Sequence, residues 1–237
     1  MSQATTPQAS PPGPPRGGRV LTIVNPATGE PLRELAEDTP DAIARKVEKA
    51  RRAQAEWART PLTDRKKVIA AFAEFLDKNK GDLAARLTSE MGKPITQSRN
   101  ELTALQGRIR FFLDNVEKAL ADEVVHEKEA WREKISYEPL GLVGNVSAWN
   151  YPYFVGSNVF VPALLAGNAV LYKPSEFALR TGLSIARLLH QSGVPGAVFA
   201  PIIGRGDAGA ALLRQELDGV FFTGSVSTGK KIAPMIG

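Results

Sequence analysis

Ser147-Ala148-Trp149-Asn150-Tyr151-Pro152 closes a short apolar run and opens a helical pattern, and three more units of the same design follow it. The apolar runs cover residues 142–148, 169–172, 197–203 and 219–222, and the residues that punctuate them are Asn150, Lys173, Gly204 and Gly224. Apolar runs of strand length alternating with helical stretches read as βαβ units, hence as a parallel sheet. Such sheets hold their ligands outside the carboxyl ends of the strands. All four punctuating residues fall at those ends, so they are expected to meet around one crevice.

Each of them has a chemical reading and a plainer one. Asn150 places a carboxamide donor at the crevice, where a fixed N–H stabilises a developing oxyanion; alternatively it only caps the helix that follows. Lys173 and Glu176, in Lys173-Pro174-Ser175-Glu176, can donate to and accept from ribose hydroxyls, and the carboxylate disfavours a 2′-phosphate. The plainer reading is a solvated ion pair at a helix start, worth little.

Two glycine clusters compete for phosphates. Gly204-Arg205-Gly206-Asp207-Ala208-Gly209 fits G-x-G-x-x-G but follows the third strand, carries Asp207 where a pyrophosphate would sit, and lacks an acid about 20 residues on. The second, Thr223-Gly224-Ser225-Val226-Ser227-Thr228-Gly229, ends the fourth strand and opens a helix whose N–H groups favour an anion. It is not a Walker loop, because Gly229 is followed by Lys230-Lys231. The second cluster is the expected pyrophosphate site and the first a strand-to-helix turn.

Upstream, residues 1–18 hold Pro, Ser, Gln and Gly with little to bury, and disorder is expected. Residues 20–24 and 31–35 read as a hairpin around Asn25-Pro26-Ala27-Thr28-Gly29. Four helices follow. Thr39 caps the first, with Pro40 at its first position and Ile43, Val47, Ala50 and Trp57 on one face. Thr63 caps the second, which carries Val68, Phe72, Phe75 and Leu76 and stops at Asn79-Lys80-Gly81. A third spans residues 83–91 and ends at Gly92. Leu102, Leu105, Ile109, Phe112 and Val116 mark the fourth; the spacing makes Phe112 a core residue instead of a ligand platform. Residues 131–137 alternate as an exposed strand, a weak signal for pairing between copies.

The 237 residues are 43% hydrophobic and 23% charged, as in an ordinary globular protein, and the net charge of +5 is scattered among acids on helix faces. That pattern argues against nucleic acid as a partner. There is no cysteine, so thiol catalysis, disulfides and Cys-ligated metal are excluded within these residues. His126 and His190 stand far apart, and no metal site is expected. No stretch reaches membrane-span length and no leader pattern opens the chain, so a cytoplasmic protein without membrane contact is expected.

Five ordered motifs closely resemble the N-terminal half of the NAD(P)-dependent aldehyde dehydrogenases: Glu90-Met91-Gly92-Lys93-Pro94, Glu138-Pro139-Leu140-Gly141-Leu142-Val143-Gly144, Trp149-Asn150-Tyr151-Pro152, Lys173-Pro174-Ser175-Glu176, and Phe222-Thr223-Gly224-Ser225 with Gly229. The resemblance runs from about residue 24 to the last. It implies an α/β fold: a parallel Rossmann-like sheet (residues 140–237) behind a hairpin and helices (19–123) and a β-hairpin (124–139) that joins subunits in a homo-oligomer. It further implies that Asn150 is the oxyanion-stabilising amide, that Lys173 and Glu176 hold the adenosine ribose, that Gly224, Ser225 and Gly229 bracket the pyrophosphate, and that Trp149 lines the cleft. Glu176 favours NAD, with NADP possible, and the implied substrate is an aldehyde. Ala148 stands where the family often has proline. In the family the general-base glutamate and the catalytic cysteine lie beyond the position of Gly229. The 237 residues by themselves are therefore expected to bind cofactor without oxidising aldehydes, as a truncated enzyme, a silent NAD-binding or subunit-interaction module, or a nonfunctional fragment.

Overall fold

The computed structural model describes residues 18–236. The tail expected to be disordered lies, apart from Gly18, outside the described residues. Strands β1 (Val20–Val24) and β2 (Pro31–Ala36) form the expected antiparallel hairpin. Helices α1 (Pro40–Arg59), α2 (Leu62–Lys78), α3 (Lys80–Met91) and α4 (Ile95–Ala119) follow. The second hairpin is β3 (Glu123–Lys128) with β4 (Trp131–Ile135). The βα core is β5 (Leu142–Val146), α5 (Pro152–Leu165), β6 (Ala169–Lys173), α6 (Leu179–Ser192), β7 (Phe199–Pro201), α7 (Gly206–Leu213), β8 (Gly219–Phe222) and α8 (Val226–Ile232).

The four core strands are all parallel, in the order β7-β6-β5-β8. The chain lays three strands in one direction and then returns across β5 to add β8, so the order reverses between β5 and β8. Helices α5 and α6 cover one face, with α2, α3 and α4 packed on them; α1 and α7 cover the other. β5 and β6 are buried on both faces, which is why they read as largely apolar runs, with the buried Asn145 of β5 bonded to the Gly156 carbonyl. Phe160 on α5 is the hub of the core, edge-on to Phe72, Tyr172 and Phe199 with centroids 6.3, 5.6 and 5.1 Å away.

Some local expectations shift. Thr39 accepts from the Ala42 N–H and caps α1, with Pro40 following, as its position suggests. Thr63 caps nothing: Pro61 takes the cap position and α2 starts at Leu62, two residues earlier than a Thr63 cap requires, with the Pro61 carbonyl accepting from the Asp64 and Arg65 N–H groups. Asn79 ends α2 and starts α3 at once, so Gly81 falls inside the first turn of α3 instead of a loop. Gly92 ends α3 at φ +74°, a conformation that suits glycine. β7 is shorter than its apolar run because it lies at the sheet edge, where Pro201 is tolerated. Phe112 packs on the core and Phe111 is exposed.

Replacing Phe160 with alanine empties the place where both helical layers meet the sheet. The expected loss is about 3–5 kcal/mol, read from urea unfolding of the chain; a loss under about 1 kcal/mol would show that the core does not close around this ring.

Candidate functional site at the carboxyl edge of the sheet

The parallel ladder carries the loop tips to one edge. Past the last paired residues, the Ser147 N–H donates to the Lys173 carbonyl at 3.0 Å, the Thr223 N–H to the Val146 carbonyl at 3.0 Å, and the Ile202 N–H to the Tyr172 carbonyl at 2.8 Å. The loops after β5, β6 and β8 and the start of α7 then enclose a cleft of about 590 Å³. Ser147, Trp149, Lys173, Glu176, Gly224 and Ser225 line its floor and rims. Gly206, Gly209, Ala210 and Leu213 of α7 face Thr228, Lys231 and Ile232 of α8 across its far end.

Five of the seven residues singled out from the sequence therefore line one cleft: Trp149, Lys173, Glu176, Gly224 and Ser225. Gly229 sits one turn into α8, behind the lining, where a Cβ would lie 3.4 Å from the Phe222 ring. Asn150 stands next to the cleft without lining it. Its side-chain Oδ1 accepts from the Tyr151 N–H at 3.1 Å, while α5 begins at Pro152 with no side-chain cap from Tyr151. The plain capping role is thus not what Asn150 does, and among the described residues its Nδ2 has no acceptor.

Lys173 is buried, and burial pushes its ammonium below the usual lysine range, with Glu176 pulling the other way. The Nζ donates to the Pro174 carbonyl at 3.0 Å and lies 3.6 Å from the Glu176 carboxylate. Ser225 caps α8 by accepting from the Thr228 N–H at 3.2 Å. A Cβ on Gly224 would fall 2.5 Å from the Phe222 ring, so the tip admits no side chain as it stands.

The first glycine cluster is a strand-to-helix turn, as expected; its Gly206 and Gly209 also line the cleft, whereas Gly204, expected at the same crevice, does not. Gly204 takes φ +148° and packs against Ala208 and Glu37. A Cβ on Gly206 would meet nothing within 4 Å, so its backbone faces open space. The objection from Asp207 falls away because its carboxylate pairs with Arg19 at 2.6 Å and does not line the cleft.

Three further residues escape a reading by strand ends: Glu90, Lys93 and Glu101. The Glu101 carboxylate accepts from the N–H groups of Tyr153 (2.7 Å) and Phe154 (3.2 Å), at the start of α5. Lys93 pairs with Glu101 at 2.5 Å, with both side chains 5% exposed or less, and donates to the Asn150 carbonyl at 2.9 Å. Glu90 accepts from the N–H groups of Arg180 and Thr181 and from the Thr181 hydroxyl, at the start of α6. One signal was available: Glu101 lies on the same helical stripe as Leu105 and Ile109, a charge where the pattern wants an apolar residue.

The comparisons with known proteins decide the lineage. The model of the aldehyde dehydrogenase family matches residues 14–237. This chain belongs to the aldehyde dehydrogenase family. It is 34% identical over 215 residues to an N-succinylglutamate 5-semialdehyde dehydrogenase of Legionella pneumophila, an alignment covering 91% of this chain and 43% of that protein. Its fold is similar to a NAD-dependent benzaldehyde dehydrogenase from Corynebacterium glutamicum, with TM-score 0.87 and 25% identity over 94% of this chain and 49% of that one. It is also similar to betaine aldehyde dehydrogenase from Staphylococcus aureus solved with NAD+, with TM-score 0.86 and 27% identity over 92% of this chain and 45% of that one. The chain spans under half the length of those relatives. Among the described residues no helix is long and apolar enough to cross a membrane.

Burial pushes the Glu90 carboxyl above the usual carboxylate range, against the pull of its Thr181 and Arg180 donors. A carboxyl whose folded pKa exceeds its unfolded one holds its proton more tightly in the native state. Its contribution therefore favours folding at low pH and is lost as pH rises from the ordinary value of 4.5 through the raised one. The stability difference between the wild-type chain and Glu90→Gln should fall across that window in urea titrations at stepped pH; a difference that rises there contradicts the assignment.

Proposed function

We propose that the chain is the dinucleotide-binding part of an aldehyde dehydrogenase, holding NAD in preference to NADP for the oxidation of an aldehyde to a carboxylic acid. The observation that carries this reading is the single cleft at the strand-order reversal that gathers Trp149, Lys173, Glu176, Gly224 and Ser225.

The residues present fit a dinucleotide. The buried Lys173 ammonium and the Glu176 carboxylate form an adjacent donor and acceptor suited to a ribose diol. The open backbone at Gly206 and the facing surfaces of α7 and α8 suit a flat heterocycle. Gly224 and the N–H groups at the start of α8, with Gly229 behind them, suit the pyrophosphate. Trp149, half exposed at the rim, closes the cleft beside Asn150. The dinucleotide, when bound, supplies the hydride acceptor. The Asn150 amide, whose Nδ2 has no acceptor among the described residues, would donate to an oxygen gaining negative charge, an effect typically worth about 3–4 kcal/mol in the transition state.

The nucleophile does not come from a thiol of these residues, since the sequence has no cysteine. The chain as given is proposed to bind NAD without turning over aldehydes. The β3–β4 hairpin, with Val125, Trp131 and Ile135 open to solvent, is proposed to join copies in a homo-oligomer.

The test is ligand-dependent stabilisation. NAD at about 100 times its Kd should add roughly 2.7 kcal/mol to the unfolding free energy, with NADP weaker. Glu176→Gln should narrow the gap between the two cofactors by removing like-charge repulsion of the 2′-phosphate. Absence of any stabilisation by NAD, or formation of NADH when aldehydes are added to the purified chain, would sink this reading.

A further inference from the structure

We infer that Lys93 is a positioning residue for Asn150: its ammonium, held by Glu101, fixes the conformation of the loop that presents the Asn150 amide. The three contacts of the ammonium have a common destination. One goes to the Glu101 Oε2 at 2.5 Å, one to the Asn150 carbonyl at 2.9 Å, and the third is the face of the Tyr151 ring, 3.6 Å from Nζ to the centroid. A lysine has three donors, and here all are engaged.

Glu101 completes the clamp. While its Oε2 holds Lys93, its Oε1 accepts from the Tyr153 and Phe154 N–H groups. The residues on either side of Pro152 are thus gripped from the same buried ion pair. Asn150 has no comparable anchor through its own side chain, whose only bond among the described residues is to the neighbouring Tyr151 N–H. Its backbone carbonyl is the handle by which the rest of the protein holds it. Lys93 and Glu101 are both buried and neither lines the cleft.

An uncharged side chain of similar length, as in Lys93→Met, keeps the packing volume and removes all three contacts. A hydrogen bond to a charged group is worth enough to slow local opening roughly 10- to 100-fold. In the isotopically labelled chain, Lys93→Met should speed exchange of the Tyr153 amide by about that factor. It should also move the side-chain amide resonances of Asn150, which Asn150→Ala identifies by their loss. Two references should stay still. They are the Arg180 and Thr181 amides, which bond Glu90 and neither member of the Lys93–Glu101 pair, and the side-chain amide of Asn168, bonded at the other end of the sheet to the Ala163 carbonyl.

Unmoved Asn150 resonances, or a loosening shared equally by Thr181 and Asn168, would overturn the inference, since either makes Lys93 a packing residue only. If Lys93→Met does not fold, Tyr151→Leu takes away only the exposed ring, and it too should shift the Asn150 resonances; no shift there overturns the inference equally. The catalytic meaning of the clamp rests on the role proposed for Asn150. The spectra, however, read the loop without cofactor, so a failure of NAD binding and a failure of the clamp are separate results.

Discussion

Every α-helix begins with backbone N–H groups that have no partner inside the helix, and in a parallel sheet the helix starts that follow the strands are also the rim of the ligand cleft. Here the starts of α5 and α6 are satisfied from a distance. Glu101 reaches across 52 positions of sequence to the Tyr153 N–H, and Glu90 across 91 positions to the Thr181 N–H. Both acids come from one corner, where α3 turns into α4 around Gly92. The segments beside Asn150 and Glu176 are therefore tied to one corner that takes no part in the sheet.

A local serine or asparagine cap would satisfy the same N–H groups at lower desolvation cost, because it buries no charge. What a local cap cannot do is tie one helix start to another. The N-terminal segment repeats the device on the opposite face. Asp38 accepts from the Ile203 N–H at 2.7 Å while pairing with Lys46, and Glu37 holds Arg205. Loops after β5, β6 and β7 are each held by an acid from the first half of the chain. Among the described residues no such acid reaches the loop after β8, which is held by the Thr223 N–H on the Val146 carbonyl and by the Ser225 hydroxyl with Ser227, Thr228 and the Thr228 N–H.

This division explains what the sequence shows and what it hides. Strand ends and helix stripes are local patterns, so the four parallel strands, the Thr39 cap and the meeting of Lys173 and Gly224 are legible from spacing, whereas Trp149 at the same cleft is implied only by the family resemblance. The Thr63 cap misleads because Pro61, two residues earlier, already supplies the turn that starts α2. Asp207 misleads about the first glycine cluster because its partner, Arg19, lies 188 positions away. Glu101 is hidden for the same reason: nothing in a periodicity says that a charge on a helical stripe will find an N–H on another helix, and Lys93 stands between α3 and α4, where no periodicity applies. The pattern reports only that Glu101 is out of place.

The Lys173–Glu176 pair shows how burial separates a binding pair from a stabilising one. An exposed pair at 3.6 Å would contribute little to folding. Lys173, however, is buried and has lost its water, which lowers its proton affinity and makes it costly to keep charged. Its donors are spent on the Pro174 carbonyl and directed toward Glu176, which itself stays partly open to the cleft. Folding alone gives no reason to bury an ammonium whose acceptors are one carbonyl and one half-open carboxylate. On the reading proposed above the reason is the ligand: a diol completes the set by accepting from the lysine and donating to the glutamate. A 2′-phosphate can do only the first of these, and it brings its charge against the carboxylate.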